Sequence, residues 1–307
     1  MNKKLFLTIC LVIMGMQVSM AQVAVATLHH KDTVTIYSNS QLQGAIDKAV
    51  EGDTIYLSEG LFAGFSVGKN ISIMGSGKAT VISGQVTIYG STSLLLCNMY
   101  IQDKLFFDNA KISGTRILQC IIGNMTFSHA SVSDYSSIEL IMSHITGTLD
   151  FTDGNSGSSI NSITIVNTKI NKVNRYGKNV AAATFVNCNI SSFISQASDA
   201  FNSYQNCIIG TLPYGSFTNC LYSGGNNGTL TNCYKGDFTL DNDLNCSLTD
   251  AELKEKEYLG TDGTVVGVTG GNMPFTLESP ILQVTEHSLD VDNVNKKLKI
   301  TLKLGNK

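Results

Sequence analysis

Apolar and polar residues alternate in short segments that recur along most of the chain. Each segment contains a small residue at the same place, and the steps between these small residues from Cys97 to Cys207 are 23, 23, 25, 20 and 19 residues. The series comprises Cys97, Cys120, Ser143, Thr168, Cys188, Cys207, Cys220 and Cys233, with Cys246 following less cleanly. Alternation with a period of two places every second side chain on one face of a strand, so each segment predicts a β-strand.

The positions that flank the small residues are apolar in segment after segment. Two residues before them lie Leu95, Leu118, Ile141, Val166 and Val186, and two residues after them lie Met99, Ile122, Ile145, Ile170 and Ile190. A second series repeats with similar steps: Phe107, Phe127, Phe151, Val173 and Phe193. We therefore expect at least two strands per repeat, each strand of the first series directing an apolar, small, apolar triplet inwards. Parallel stacking of such repeats buries a continuous core, whereas a helical solenoid would need a 3.6-residue period.

One amphipathic helix is predicted before the repeats, near residues 40–50. Ser40 and Gln43 have the spacing of a capping box. One face of the helix would carry Leu42, Ala45, Ile46, Ala49 and Val50. Gly52 ends the pattern, and residues 54–57 read as a strand. Because an open solenoid end exposes core and unpaired strand edges, we expect this helix to cap it.

The pattern changes twice towards the C-terminus. From Cys207 to Cys246 the step is only 13 residues. Either the solenoid tapers there, or alternate segments occupy opposite walls of wider turns. After about residue 258 the repeat stops, and residues 298–304 alternate apolar residues with polar ones that include lysines, which discourage pairing at a sheet edge. We expect a β-helix over residues 22–258 and a short C-terminal β cap over residues 259–307.

Two stretches at the start of the repeats resemble a known family. Residues 43–57 (QGAIDKAVEGDTIYL) and 71–77 (ISIMGSG) are similar to the opening of pectate-lyase-like right-handed parallel β-helix proteins of the exported bacterial type. The resemblance extends over roughly residues 36–250 and implies an all-β, right-handed parallel β-helix. It does not imply one activity, because this superfamily includes lyases, hydrolases, esterases, adhesins and non-catalytic proteins.

The N-terminus and the overall charge restrict location and partners. Lys3 and Lys4 precede an apolar run over residues 5–16, and Ser19 and Ala21 are the small residues that a signal peptidase reads. Residues 1–21 are thus predicted to be a signal peptide, with Cys10 offering lipidation as the alternative. The mature chain is expected in the periplasm, at the cell surface or outside the cell, without a transmembrane segment. A net charge of -3 gives no reason to expect nucleic acid or an anionic membrane as a partner.

Cysteine and asparagine recur together and have structural as well as functional interpretations. No C-x2-C pair supports a zinc site, and in-register parallel side chains point the same way, so an internal ladder of free thiols is expected. The asparagines are Asn167, Asn187, Asn206, Asn219, Asn232 and Asn245. We expect them to form hydrogen bonds from turn to turn. If they face outwards, a polysaccharide-binding stripe is the alternative.

Two groups of acidic residues are candidates for binding. The first group, as a candidate ligand-binding set, comprises Asp134, Glu139, Asp150 and Asp153. The second group, as a candidate calcium site, comprises Asp237, Asp241 and Asp243. The resemblance implies that a lyase would hold calcium with such carboxylates, and a glycosidase would need two or three of them around one bond. The first group does not recur at the turn spacing, and neither group matches a calcium-loop pattern. A solvated surface is therefore the favoured interpretation for both groups, and no other cofactor is indicated.

One predicted loop combines basic and phenolic side chains. Lys172, Arg175 and Tyr176 lie close together in sequence, and in an enzyme they would neutralise and deprotonate a uronic acid. Ordinary surface charges on a turn explain them equally well. Without a convergent acid, base and cation, the leading hypothesis is a non-catalytic exported protein that binds polysaccharide or another surface partner. The alternatives are a lyase or hydrolase acting on acidic polysaccharide, and a structural or adhesive module.

Overall fold

A computed structural model describes residues 24–90, 93–108, 111–128, 134–151, 159–160, 162–174, 183–194, 202–225, 228–277, 283–292 and 297–305. The predicted signal peptide lies outside these residues. The helices are α1 (Leu42–Lys48), which follows a 3-10 turn at Asn39–Gln41, and α2 (Asp250–Glu255). The strands are β1 (Val25–His30), β2 (Thr33–Ser38), β3 (Thr54–Leu57), β4 (Gly60–Ala63), β5 (Ser66–Val67), β6 (Ser72–Met74), β7 (Thr80–Ser83), β8 (Gln85–Ile88), β9 (Leu95–Cys97), β10 (Tyr100–Phe107), β11 (Lys111–Ser113), β12 (Arg116–Leu118), β13 (Ile121–Phe127), β14 (Asp134–Ser136), β15 (Ile138–Ile141), β16 (His144–Asp150), β17 (Ser159–Ile160), β18 (Ile163–Val166), β19 (Lys169–Asn174), β20 (Ala183–Val186), β21 (Asn189–Phe193), β22 (Ser203–Gln205), β23 (Ile208–Thr211), β24 (Ser216–Thr218), β25 (Leu221–Gly224), β26 (Thr229–Thr231), β27 (Tyr234–Lys235), β28 (Gln283–Asp292) and β29 (Lys297–Gly305).

Two long sheets form the walls of the molecule. The first sheet has the strand order β2-β1-β3-β6-β9-β12-β15-β18-β20-β22-β24-β26. The second sheet runs β27-β25-β23-β21-β19-β16-β13-β10-β7-β4, with β8 and β5 beside it, and a short third sheet joins β11, β14 and β17. From β3 onwards neighbouring strands in these sheets are parallel. The predicted all-β parallel β-helix is confirmed.

A column of residues with left-handed backbone separates the first sheet from the second. We call it the asparagine corner, and it comprises Asn98, Gln119, Met142, Asn167, Asn187, Asn206, Asn219 and Asn232. Their φ angles lie between 46° and 56°. Asparagine adopts this conformation more readily than most residues, because its short side chain forms local hydrogen bonds. This preference explains why asparagine recurs at the repeat spacing.

The position of the corner shows that the predicted alignment of the repeats was wrong in two respects. Cys97 precedes its corner residue and pairs with Leu118, so it does not belong to the column of Cys120. The inward column after the corner is Met99, Cys120, Ser143, Thr168, Cys188, Cys207, Cys220 and Cys233. The residues two positions before this column, such as Leu118, lie half-buried on the outer face. Their neighbours, such as Ile117, fill the core, because one left-handed residue shifts the alternation by one position.

The core consists of ladders that continue from turn to turn. Ser143 Oγ accepts a hydrogen bond from the Cys120 N–H at 3.1 Å. Phe127 stacks between Phe107 and Phe151, with ring centroids 4.6 Å and 5.4 Å away. A second stack joins Phe185, Tyr204 and Phe217. The cysteines in the described part of the chain are free thiols, as the predicted thiol ladder requires.

The short 13-residue repeats are a taper. Strands β22, β24 and β26 pair with one another in sequence, and β23, β25 and β27 do the same in the second sheet. Each short step therefore completes one turn from two strands. The arrangement with alternate segments on opposite walls is excluded.

A helix covers the N-terminal end of the β-helix, and the segment that follows the last strand packs along the side of the solenoid. At the N-terminal end, α1 buries Leu42, Ala45 and Ile46, but Val50 is exposed, contrary to its predicted position on the apolar face. The capping box also begins earlier than predicted, since the Ser38 N–H donates to Gln41 Oε1 at 3.2 Å. After β27, residues 236–277 contact the second sheet and the asparagine corner, from Asn206 back to Gln119. We call these residues the C-terminal segment, and β28 and β29 form an antiparallel pair beyond it.

Candidate functional site

The outer face of the first sheet carries a regular row of hydroxyl groups. We call it the hydroxyl column, and it comprises Thr164, Thr184, Ser203, Ser216 and Thr229. These residues are paired on successive strands about 4.8 Å apart. The Ser203 hydroxyl donates to Thr184 Oγ1 at 3.3 Å. Beside the column runs a second row of outward residues: Val166, Val186, Gln205, Thr218 and Thr231.

The alternation of the strands explains why hydroxyl groups collect here. The intervening residues, such as Phe185 and Tyr204, point inwards and are buried. The outward positions must favour an extended backbone while facing water, and threonine meets both requirements. The result is a flat, hydroxyl-rich surface with aliphatic groups at one edge.

Glu139 lies on this face too, and its carboxylate forms an ion pair with Arg116. The two residues are paired on β12 and β15, and Arg116 Nε lies 2.6 Å from Glu139 Oε2. Their side chains are 62% and 41% exposed, so the ion pair contributes little to stability. Glu139 therefore faces an arginine and not another carboxylate.

The other predicted residues of the repeat region lie on different sheets. Asp134 belongs to β14 in the third sheet, whereas Asp150 is on the second sheet and Glu139 on the first. The structure does bring Lys172 near Asp150, because Thr148 pairs with Lys172 and the next outward residue of the same strand is Asp150. Arg175, Tyr176 and Asp153 lie outside the described residues.

The predicted calcium residues lie in the C-terminal segment and are exposed. Asp241 Oδ1 accepts hydrogen bonds from the Asp243 and Asn245 N–H groups at 2.9 Å and 2.8 Å. Its Oδ2 accepts from the Asn245 side-chain amide, and these bonds lower the pKa of Asp241. The carboxylate thus closes a turn. In the described part of the chain, which includes Asp237, no three histidine, cysteine or acidic residues are grouped as metal ligands.

A buried basic pair, which the sequence pattern did not predict, lies under the C-terminal segment. Lys169 is 7% exposed, and its Nζ donates to Asn245 Oδ1 at 2.6 Å and lies 4.6 Å from the centre of the Phe275 ring. His144 is paired with Lys169 on the neighbouring strand and is also buried. Burial lowers the pKa of both groups. The only signal in the sequence was two basic residues in a column that is otherwise largely apolar.

The C-terminal segment also covers part of the asparagine corner. Asn167 Nδ2 donates to the carbonyls of Val268 and Gly270 at 3.2 Å and 2.9 Å. Asn206 Oδ1 accepts from the Thr261 N–H at 3.0 Å, and its Nδ2 donates to Thr261 Oγ1 at 3.3 Å. Asn167 and Asn206 therefore bond to the segment and not from turn to turn as predicted, and they do not form an exposed polysaccharide-binding stripe. The structure also removes Asn245 from the series, since it belongs to the segment and not to the corner.

The chain matches no protein-family model and no curated protein sequence. Among the described helices, none has the length and apolar character needed to cross a membrane.

Proposed function

We propose that this chain is a non-catalytic binding protein that holds a polysaccharide, or another hydroxyl-rich surface partner, along the outer face of its first sheet. The observation that carries the proposal is the hydroxyl column. It repeats one kind of group at a constant spacing on a rigid wall.

The chemistry of this face suits a polymer of sugars. A hydroxyl group both donates and accepts hydrogen bonds, as the hydroxyls of a sugar do. The neighbouring Val166 and Val186 supply apolar contact for the C–H groups of a sugar ring. Each contact is weak, but contacts repeated on one rigid surface act together because the second and later ones are intramolecular.

The placement of the acidic residues supports binding without turnover. Glycosidases hold two carboxyl groups about 5–10 Å apart around one bond. In the described part of the chain, Asp134, Glu139 and Asp150 belong to three different sheets, and Glu139 is paired with Arg116.

The test is binding of purified residues 22–307 to immobilised neutral and acidic polysaccharides, with product release followed in parallel. A triple variant, Thr184→Val with Ser203→Ala and Ser216→Ala, removes the centre of the hydroxyl column. We expect its affinity to fall at least about tenfold, because several hydrogen bonds are lost. The matched control removes hydroxyls from the second sheet, Thr148→Val with Ser192→Ala, and should bind normally. Equal binding by both variants would contradict the proposal.

A second candidate is a lyase for acidic polysaccharide, with calcium as its candidate cofactor. The observation in its favour is that Lys172 and Asp150 share the outer face of neighbouring strands, just before the part of the chain that holds Arg175 and Tyr176. Release of unsaturated uronates in the presence of calcium, lost in Lys172→Ala or Arg175→Ala, would replace the first proposal with this one.

The proposal includes export of the protein from the cytoplasm. Residues 1–21 would direct the chain out of the cytoplasm, so that the mature protein meets its partner in the periplasm, at the cell surface or outside the cell. N-terminal sequencing of the protein from its native cells should begin at Gln22. If neither binding nor turnover is found, a structural or adhesive module becomes the working function.

A further inference from the structure

Strand β2 is an exposed edge of the first sheet. It pairs with β1 on one side, and within the described part of the chain no strand pairs with its other side. Its first four residues, Thr33 to Ile36, are all exposed. They include Thr35, although its partner on β1, Leu28, is buried. Every second residue of β2 therefore directs its main-chain N–H and C=O groups towards solvent at an open edge.

The edge of β2 lacks the features that usually keep an edge strand from pairing with another chain. Proteins commonly protect such an edge with charged side chains, a proline or a β-bulge. The six residues of β2, TVTIYS, include no charged residue and no proline. They pair with β1 in one continuous register, without a bulge. This strand is therefore free to add a further strand to the first sheet.

The outer face of β2 is apolar and belongs to a larger apolar surface. Val34 and Ile36 are 56% and 70% exposed on this face. Tyr56 follows in the same row, because Thr27 pairs with both Ile36 and Tyr56. Of the ten exposed large apolar side chains in the described ranges, five lie between residues 34 and 61: Val34, Ile36, Val50, Tyr56 and Leu61. Apolar groups gathered in one exposed region are typical of a protein interaction surface.

The sequence of β2 is complementary to itself in one antiparallel register. If a twofold axis passes through Thr35, then Val34 of each copy lies opposite Ile36 of the other, twice, on one face of the joined sheet. A register moved by two residues places Ile36 opposite Asp32 in one direction, and Val34 opposite Ser38 in the other. Because apolar cross-strand pairs stabilise a sheet, the register centred on Thr35 is favoured.

We propose that two copies of this chain form a symmetric dimer through antiparallel pairing of their β2 strands. The opposite edge of the first sheet, β26, is also exposed, but it has only three residues. Pairing of β2 with β26 would be head-to-tail and would leave open ends, whereas pairing of β2 with itself is closed. The contact is centred on one strand, so we expect a weak dimer with a dissociation constant in the micromolar range. The dimer does not depend on the function proposed for the hydroxyl column.

The first test is analytical ultracentrifugation of residues 22–307 over a range of protein concentrations. We expect a reversible monomer–dimer equilibrium without larger species. Ile36→Lys places a charge at the centre of the contact, so its dissociation constant should rise at least about tenfold. Ile194→Lys is the matched control, because Ile194 is also an exposed isoleucine, at 57%, and it lies after β21 of the second sheet. Thermal unfolding of both variants checks that the fold is retained.

The second test reads the register through a single added cysteine. Thr35→Cys places the two new thiols opposite each other at the twofold axis, within the Cα range of a disulfide. Thr33→Cys is the matched control, since four residues along the strand would separate the two thiols by about 13 Å. Oxidised glutathione should therefore link two chains of Thr35→Cys and leave Thr33→Cys unlinked. The parent protein gives the background from the native cysteines.

Three results would overturn the proposal. The first is a parent protein that stays monomeric at every concentration. The second is dimerisation of Ile36→Lys as strong as that of the parent, which would place the contact elsewhere. The third is equal linking of the two cysteine variants, or growth of the parent into larger species, as a head-to-tail contact with β26 would produce. Polysaccharide binding by the hydroxyl column is measured separately and is unaffected by any of these results.

Discussion

His144 and Lys169 are paired on neighbouring strands of the second sheet, and the C-terminal segment buries both of them. The groups that face them from the segment are Asn245, Asp241 and Asp243, together with the ring of Phe275. Two basic side chains side by side in a buried place favour a neutral imidazole on His144. We therefore expect the docking of the segment to depend on pH.

The first prediction concerns this linkage. Burial, with Lys169 next in importance, lowers the pKa of His144, while Asp243 opposes the change. Unfolded His144 binds a proton near its ordinary pKa of about 6.5, but folded His144 binds one only at lower pH. The unfolded chain then holds more protons, so the free energy of unfolding falls as the pH drops below about 6.5.

Urea denaturation at neutral and mildly acidic pH measures this effect. His144→Gln should lose less stability on acidification than the parent protein. His29→Gln, at an incompletely buried position on the first sheet, is the matched control and should behave like the parent. An unchanged pH dependence in His144→Gln would show that another group causes it.

The second prediction concerns Asn189, which ties the segment to the second sheet at two points. Its Nδ2 donates to the Leu244 carbonyl at 2.9 Å, and its Oδ1 accepts from the Val268 N–H at 3.1 Å. Asn189→Ala leaves two buried main-chain groups without partners, so we expect a loss of about 3 kcal/mol in the free energy of unfolding. Asn171→Ala removes a single, more exposed bond to Thr146 and should cost less than about 1 kcal/mol. Equal losses in the two variants would refute a specific role for Asn189.

The third prediction separates backbone strain from hydrogen bonding at Asn167. This residue has a φ of 46° and donates two hydrogen bonds to the C-terminal segment. Alanine and glycine both remove the bonds, but only alanine is strained in a left-handed conformation, by about 1–2 kcal/mol. Chemical denaturation should therefore show Asn167→Ala to be less stable than Asn167→Gly by about that amount. The reverse order would mean that side-chain packing outweighs backbone conformation at this corner.

The fourth prediction concerns the thiols. Burial raises the pKa of Cys120 to about 12 and that of Cys97 to about 11, and it raises the pKa of Cys207 as well. The native protein should therefore resist iodoacetamide at these sites, even at mildly alkaline pH, because the thiolate is the reactive form. Cys233 and Cys246 are only partly buried and should react before the buried thiols. Mass spectrometry of native and urea-unfolded protein measures the order, and early labelling of Cys207 would contradict a closed core.

The sequence predicted the β-helix well, because its main evidence was local. Alternation within each segment and the constant return of asparagine follow from strand geometry and from the conformational preference of one residue type. The phase of the alternation was wrong before the corner, where Cys97 was grouped with Cys120. The reason is that a single left-handed residue shifts the alternation, and the left-handed corner was not recognised in the sequence.

The candidate site was less accessible to sequence reasoning. Asp134, Glu139 and Asp150 are close in the chain, yet they lie on three sheets, because a few residues carry the chain around a solenoid corner. Conversely, Lys169 forms a hydrogen bond with Asn245, and Asn167 forms one with Gly270, although the residues of each pair are far apart in the sequence.

The sequence by itself determined the repeat, its strands, the inward ladder of small residues and the helix before the repeats. All of these depend on side-chain period and on interactions between successive repeats. Only the tertiary structure decided that the short repeats form a taper and that the C-terminal segment covers Asn167 and Asn206. Those outcomes depend on where a non-repeating segment docks, and packing and hydrogen bonding across distant parts of the chain determine that docking.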